Sequence, residues 1–186
     1  MSNNKPAQLH ARLKQPGLVT APGVFDMVSL RLAASFGFDA LYMPCFGAVA
    51  SHMGLPDAGL ATYSDMVGRV GSMANMARTP LVADGDTGYG GLLNVMHTVR
   101  GYEMAGACAI QLEDQEFPKK CGHTPGRRVI PMADMVRKIQ VAVDEEACVR
   151  HRRALCRNSA ALRVVTAGGR RPRCGYGRGR DGSSAA

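Results

Sequence analysis

The stretch PLVADGDTGYGG, residues 80–91, decides the fold of this chain. It opens with an apolar run, ends that run at the carboxylates of Asp84 and Asp86, and continues into a glycine-rich turn. Residues 92–106 then show the apolar spacing of a helix that stops at a glycine. A short apolar run, a turn and an amphipathic helix are typical of a buried strand with its crossover helix. The stretch therefore predicts a βα unit of a parallel sheet.

The same alternation extends on both sides of this unit. Apolar runs bounded by turn residues predict four strands, at 17–26, 39–45, 80–86 and 108–114. Helical spacing predicts four helices, at 27–37, 63–77 with Ser64 as a possible N-cap, 92–106 and 132–146. Strands separated by helices predict an α/β fold with a parallel sheet, whose active site lies at the carboxyl ends of the strands.

Charge divides the 186 residues into two parts. The net charge is +8, but residues 147–186 hold ten arginines, no lysine and a single acid, Asp181, so residues 1–146 are close to neutral. The pattern of strands and helices also stops near residue 146. We therefore expect one domain over residues 1–146, followed by an Arg/Gly/Ala-rich tail over residues 147–186. We interpret this tail as disordered or as translated out of frame.

Several classes of protein are disfavoured by the composition. No window approaches the roughly 18 apolar residues that cross a bilayer, and the first residues lack the apolar segment of a signal peptide. The six cysteines show no paired spacing and are expected to be free thiols. We therefore expect a soluble, cytoplasmic protein that does not contact membranes.

Carboxylates follow two predicted strands that are neighbours in the sheet. Asp84 and Asp86 lie two residues apart, so their side chains can face the same way, and Glu113 ends the next strand. Three oxygen ligands on adjacent strand ends suit Mg²⁺. The alternative is that these acids cap loops and form surface salt bridges, and their spacing alone leaves both interpretations open.

The loop DQEFPKKCGH, residues 114–123, places two lysines, a thiol and an imidazole side by side. Lys119, Lys120 and His123 could supply cations that favour the thiolate of Cys121, and Gly122 permits unusual backbone angles. Such a cysteine could act as an acid, a base or a nucleophile. An exposed basic loop with an incidental cysteine is an equally good interpretation at this point.

Two further turns remain open in the same way. TGYGG, residues 87–91, could cradle an anion with its backbone N–H groups or be a plain flexible turn. GLPDAG, residues 54–59, presents Asp57, and its spacing favours a simple Pro-Asp turn.

The motifs in this order resemble the isocitrate lyase/phosphoenolpyruvate mutase superfamily. The similarity spans residues 15 to 146 and rests on four stretches: GLPDAGLATYSDM, DGDTGYGG, IQLEDQEFPKKCGH and VIPMADMVRKI. It is strongest to the branch of 2-methylisocitrate lyase and 2,3-dimethylmalate lyase. It implies a (β/α)8 TIM barrel, Mg²⁺ dependence, carboxylate substrates cleaved in a retro-aldol manner, and homotetramers that exchange a C-terminal helix.

The resemblance also implies roles for individual residues. It implies that Cys121 is the catalytic acid/base on a mobile gating loop, and we predict Lys120 and His123 as catalytic residues beside it. The implied metal site consists of Asp57, Asp84, Asp86 and Glu113. The implied substrate-binding residues are Tyr42, Cys45, Phe46, Gly47 and Gly122.

Two features depart from the family pattern. The turn YMPCFG, residues 42–47, contains Pro44, which has no N–H to donate, and the bulky Phe46. The later βα units are not recognisable, and four strands cannot close an eight-stranded barrel. We therefore expect a partial barrel of about four βα units and a chain that is inactive in this truncated form.

Two other functions remain possible from the sequence. The first is the making or breaking of a phosphorus–carbon bond, the P–C bond chemistry of carboxyphosphonoenolpyruvate phosphonomutase. The motifs of this chain are also similar to those of that enzyme. The second, from another class, is nucleic-acid binding through the arginine-rich tail. Nucleic-acid binding is the weaker alternative because Tyr176 is the only aromatic residue in the tail.

Overall fold

The computed structural model describes residues 4–122 and 124–154, with side chains described up to residue 145. Within these residues the helices are α1 (Lys5–Leu13), α2 (Met27–Ala34), α3 (Cys45–Met53), α4 (Tyr63–Met76), α5 (Leu92–Ala105) and α6 (Met132–Ala154). The strands are β1 (Leu41–Met43), β2 (Leu81–Asp84) and β3 (Ala109–Gln111). In the described part of the chain, no helix is long and apolar enough to span a bilayer.

The three strands form a parallel sheet in the order β1-β2-β3. Leu41 is paired with Leu81, and Ala83 with Ile110, so the strands run nearly in step. Helices α3 and α4 connect β1 to β2, and α5 connects β2 to β3. All three strands therefore point their carboxyl ends to one edge, as the sequence predicted for an α/β fold.

The prediction of a strand over residues 17–26 is wrong. This segment forms only an isolated parallel bridge between Gly23 and Tyr42, with Val24 donating to the Tyr42 carbonyl at 2.8 Å. Pro22 has no N–H for a longer ladder. Asp26 is already the N-cap of α2, where its carboxylate accepts from the Ser29 N–H.

The described helices also differ from those predicted. Helices α1 and α3 were not predicted, and α3 begins at Cys45 after Pro44 without a side-chain cap, so no capping signal marks it. The cap of α4 is Thr62 rather than Ser64, because the Thr62 side chain accepts from the Asp65 N–H. Helix α6 continues to Ala154, eight residues beyond the predicted boundary at 146. The rest of the predicted tail lies outside the described residues.

The core lies between the sheet and helices α4 and α5. Its fully buried side chains include Met43, Leu81, Val95 and Tyr102. Helix α6 packs on α5, where the Arg100 guanidinium donates to the buried carboxylate of Glu145 at 2.7 Å. This packing fixes α6 beside the carboxyl edge of the sheet.

Candidate active site

The ends of β2 and β3 are joined by two backbone hydrogen bonds. Gly85 donates to the Gln111 carbonyl and Glu113 donates to the Asp86 carbonyl, each at 2.8 Å. A Cβ atom at Gly85 would lie 2.8 Å from the Ile110 Cγ2 atom and 3.1 Å from the Gln111 oxygen. The glycine between the two aspartates therefore lets the strand ends approach closely enough to bring Asp84, Asp86 and Glu113 to one place.

Three donors orient the buried carboxylate of Asp84. The Tyr42 hydroxyl donates to Oδ2 at 3.0 Å, the Cys45 N–H donates to the same oxygen at 3.3 Å, and the Asp86 N–H donates to Oδ1 at 2.9 Å. Because a carboxylate has about four lone-pair positions, Asp84 keeps capacity for one more partner. Burial and the negative charge of Asp84 both raise the pKa of Tyr42, so this hydroxyl stays a donor.

Lys119 brings the acids of three different segments together. Its ammonium lies 2.9 Å from Asp57 Oδ1, 2.8 Å from Asp86 Oδ2 and 3.8 Å from Glu113 Oε2. The Lys119 residue is only 2% exposed. The turn at residues 54–59 therefore brings Asp57 close to Asp86 and Glu113. Its spacing alone favoured a simple turn, and only the family resemblance grouped Asp57 with these acids. We define the acid cluster as Asp57, Asp84, Asp86 and Glu113.

Sequence reasoning named Lys120 as a catalytic residue and placed neither lysine of the pair in this cluster. Lys120, the predicted catalytic lysine, is exposed, and its ammonium donates to the Gly126 carbonyl at 3.2 Å. Lys119 occupies the cluster instead. The signal for Lys119 was present in the KKCGH motif, but an irregular loop has no periodicity that tells which lysine points inward.

Burial and charge act in opposite directions in the cluster. Burial raises the pKa of Glu113, and the carboxylates of Asp84 and Asp86 raise it further, whereas Lys119 lowers it. Burial by itself would lower the pKa of Lys119, but the surrounding acidic groups, Asp86 among them, outweigh it and the pKa is raised. Lys119 is therefore a cation in this structure and neutralises part of the acid cluster.

Cys121 and Gly122, predicted as a catalytic and a substrate-binding residue, follow Lys120 on the same loop and make no described contact with the cluster. Cys121 is a half-buried free thiol, and Gly122 is exposed. His123 lies outside the described residues. Because both lysines make other contacts, the activation of Cys121 by their charges stays a prediction.

The predicted substrate-binding segment forms the start of α3. Cys45 is buried, and burial together with the neighbouring Asp84 raises the pKa of its thiol. Phe46 is 55% exposed, whereas Gly47 packs against the Phe25 side chain, where a Cβ atom would approach to 2.7 Å. Pro44 is the N-cap of α3, and the first N–H of this helix, that of Cys45, donates to the Asp84 carboxylate.

The glycine-rich turn after Asp86 is packed on both sides. The Lys138 ammonium of α6 donates to the Thr87 carbonyl at 2.8 Å, and the Thr98 hydroxyl of α5 donates to the Gly88 carbonyl at 3.3 Å. Asp86 and Tyr89 adopt positive φ angles of 55° and 56°, a conformation that costs energy for these residues. The hydrogen bonds from Lys138 and Thr98 therefore stabilise the strained backbone of the turn, and the turn fixes the position of Asp86.

The acid cluster fits a magnesium ion in its chemistry. Its members offer hard oxygen ligands from adjacent strand ends and from one turn, largely buried from water. In residues 4–122 and 124–154, however, no three acidic, histidine or cysteine side chains already form a metal-binding arrangement. The carboxylates of Asp57, Asp86 and Glu113 face the Lys119 ammonium instead.

Comparison with known sequences identifies the family. The family model described as phosphoenolpyruvate phosphomutase matches residues 9–153. The chain is 47% identical over 141 residues to 2,3-dimethylmalate lyase of Eubacterium barkeri, covering 76% of this chain and 49% of that protein. It is 42% identical over 135 residues to 2-methylisocitrate lyase of Aeropyrum pernix, covering 73% and 44%. It is 38% identical over 138 residues to the chloroplastic carboxyvinyl-carboxyphosphonate phosphorylmutase of Arabidopsis thaliana, covering 74% and 41%.

Solved structures show the same relationship. Oxaloacetate acetylhydrolase in complex with the inhibitor 3,3-difluorooxalacetate matches with a TM-score of 0.75 and 37% identity, covering 80% of this chain and 50% of that one. 2,3-Dimethylmalate lyase matches with a TM-score of 0.75 and 36% identity, covering 81% and 50%. A phosphonopyruvate hydrolase complex with oxalate and Mg²⁺ matches with a TM-score of 0.65 and 30% identity, covering 78% and 48%.

The sequence and structure matches cover the same part of this chain and point to the same family. The chain spans about half the length of the curated relatives it matches. The matched region covers every described strand and helix from α2 to β3 together with the acid cluster. The chain belongs to the phosphoenolpyruvate mutase/isocitrate lyase superfamily.

Proposed function

We propose that these residues form the first half of a magnesium-dependent carbon–carbon lyase. Its substrate would be a 2-hydroxy or 2-methyl-substituted dicarboxylate or tricarboxylate, cleaved in a retro-aldol manner. The observation that carries the proposal is the buried acid cluster on the carboxyl ends of adjacent strands. The relatives named 2,3-dimethylmalate lyase and 2-methylisocitrate lyase support this reaction class.

Asp84, Asp86 and Glu113 would hold the ion, with Asp57 contributing directly or through water. Bound there, Mg²⁺ would supply stabilisation of the negative charge that develops on the substrate oxygens during cleavage. Tyr42 and the Cys45 backbone would keep Asp84 oriented toward the ion through the hydrogen bonds described above. A metal ligand that its own hydrogen bonds already hold in place does not have to reorient during the reaction. The donors to Asp84 would therefore favour catalysis.

Two groups would act on the substrate itself. When the carbon–carbon bond breaks, the substrate hydroxyl would become the carbonyl of the 2-oxo acid and release its proton to water, and Cys121 would donate a proton to the carbanion left on the other fragment. Phe46 and Gly47, in the first turn of α3, would face a substrate carboxylate at the positive end of the helix dipole. Gly122 would let the loop approach the substrate closely.

An eight-stranded barrel would need five strands besides the three in the described part of the chain. We propose that β1, β2 and β3 are part of an eight-stranded barrel, because β3 has a free edge in the described part of the chain. A groove of about 810 Å³, lined by residues that include Gln111, Glu113 and Met135, lies along this edge. We expect no turnover by the chain alone, and homotetramers only for the complete protein.

The test combines metal binding with a chimera. Calorimetry should detect Mg²⁺ binding to the chain, and Asp84→Ala should weaken it strongly. Asp134→Ala removes an equal charge from an exposed position on α6 and should leave the affinity unchanged. Wild-type binding that Asp84→Ala does not alter would refute the metal site.

The reaction itself should appear when these residues are joined to the second half of a relative. Residues 1–153 would be joined to the second half of the Eubacterium barkeri 2,3-dimethylmalate lyase, the 47% identical relative. The chimera should release pyruvate from 2,3-dimethylmalate or 2-methylisocitrate in the presence of Mg²⁺. A folded, tetrameric chimera that cleaves neither compound would contradict the lyase proposal.

Phosphonate chemistry is the second candidate, favoured by the 38% identity to carboxyvinyl-carboxyphosphonate phosphorylmutase. The chimera would be incubated with carboxyvinyl carboxyphosphonate, the compound in the name of that relative, and followed by phosphorus NMR. A new carbon–phosphorus resonance without pyruvate release from the malate derivatives would decide for a mutase.

A further inference from the structure

A lysine ammonium sits where the proposed metal would draw its ligands. Lys119 contacts Asp57, Asp86 and Glu113, three of the four acids in the cluster, at 2.8 to 3.8 Å. Asp84 is the member that Lys119 does not touch, and its oxygens accept from Tyr42, Cys45 and Asp86 instead. Lys119 therefore contacts Asp86 and Glu113, two of the three carboxylates proposed to ligate the ion.

The charges explain why a cation stands in this position. Four carboxylates close together and largely out of water repel one another, and an enclosed positive charge stabilises them. Lys119 supplies one positive charge, so the cluster keeps an excess of negative charge when the loop is docked. A divalent ion would neutralise more of it and would compete for the same oxygens.

The segment that carries Lys119 has few other contacts with the cluster. Phe117 lies against Gly59, where a Cβ atom would come within 3.1 Å of the Phe117 ring. Gln115 donates to Glu113 at 2.9 Å and accepts from the Lys120 N–H at 3.2 Å. Among the described contacts of this segment, Lys119 makes its only ion pairs with the cluster.

We propose that Lys119 is a tethered competitor of the divalent cation. Docking of its ammonium among Asp57, Asp86 and Glu113 and binding of the metal to Asp86 and Glu113 exclude each other. Metal binding therefore releases segment 117–120 from the cluster. This inference rests on the proposed function, because it takes the acid cluster as the metal site.

The test compares Lys119→Met with Lys120→Met in the chain as it stands. Methionine keeps most of the length of lysine and removes its charge. Mg²⁺ affinity measured by calorimetry should rise on the order of tenfold or more in Lys119→Met, because a competing charge is gone. Lys120 is exposed and bonds to a carbonyl on its own loop, so Lys120→Met should change the affinity by less than about twofold.

Hydrogen exchange supplies a readout that does not depend on catalysis. Without metal, amides 117–122 should exchange faster in Lys119→Met than in the wild type or in Lys120→Met. Adding Mg²⁺ to the wild type should accelerate the same amides, because the ion displaces Lys119. Little further acceleration by Mg²⁺ is expected in Lys119→Met.

The outcomes separate this inference from the lyase proposal. Unchanged or weaker Mg²⁺ affinity in Lys119→Met, or metal binding that leaves amides 117–122 unaffected, would overturn the inference while the metal site stands. Absence of Mg²⁺ binding in both variants and the wild type would overturn the metal site and the competition together. A chimera that binds Mg²⁺ but cleaves no substrate would refute the lyase function and leave the competition intact.

Discussion

Substituting Gly85 by alanine should weaken both the fold and the acid cluster. The new methyl carbon would lie 2.8 Å from Ile110 Cγ2, 3.1 Å from the Gln111 oxygen and 3.2 Å from Leu112 Cδ2. Ordinary contacts start near 3.4 Å, so the nearest neighbour must retreat by about 0.6 Å. The Gln111 oxygen accepts the Gly85 N–H, so its retreat would also stretch that hydrogen bond.

The expected loss follows from these contacts. Overpacking of this kind costs about 1 to 3 kcal/mol, and the lower flexibility of the unfolded alanine chain returns about 0.4 to 1 kcal/mol. We therefore expect the free energy of unfolding to fall by about 1.3 kcal/mol, within a range of about 0 to 2.6 kcal/mol. The Mg²⁺ affinity should fall as well, because the strand ends that carry Asp84 and Glu113 are pushed apart.

Urea unfolding followed by circular dichroism measures the first effect and calorimetry the second. Gly68→Ala is the matched control, since Gly68 is exposed in α4 and its Cβ would have no atom within 4 Å. That variant should be more stable by about 0.5 to 1 kcal/mol, because alanine is the better helix former. If Gly85→Ala matched the stability and Mg²⁺ affinity of the wild type, the close approach of the strand ends would not matter and the reasoning would fail.

Three further changes test other parts of the site. Tyr42→Phe should lower the free energy of unfolding by about 1.5 to 3 kcal/mol in urea titrations, because it removes one donor to the carboxylate of Asp84. If the losses of stability in Tyr42→Phe and Asp84→Asn simply added up in the double variant, the two side chains would not stabilise each other and the hydrogen bond would be contradicted. Hydrogen bonds from Thr62 lower the pKa of Asp65, so its capping contribution is present above the ordinary pKa of 3.8 and is lost as the pH falls through the lowered value. Thermal unfolding should show Asp65→Asn less stable than the wild type at pH 5, with the difference shrinking at the acid end, and a difference that does not vary with pH would exclude this origin. In the active chimera, Cys121→Ser should abolish pyruvate release while calorimetry still detects oxalate binding in the presence of Mg²⁺, and near-normal turnover would remove Cys121 from the mechanism.

Local sequence patterns predicted the strands β1, β2 and β3, the helices α2, α4, α5 and α6, and the positions of Asp84, Asp86 and Glu113 at or after the ends of strands. The apolar runs ending at Asp84 and near Glu113, each followed by a turn, indicate strands whose carboxyl ends meet, and the structure brings these ends together. Helices α4 and α5 begin at the residues that their spacing predicted and end within one residue of the predicted ends. Periodicity and turn residues act over a few positions, so they can be read from the chain alone.

Contacts between distant residues were decided only by the tertiary structure. The Cys45 N–H reaches Asp84 across 39 positions, and no local signal marks either the helix that aims it or its partner. The choice of Lys119 over Lys120 depends on how an irregular loop packs against Gly59. The energy of burying a charged group such as Lys119 depends on the assembled fold, because the neighbouring charges that stabilise it lie far away in the sequence.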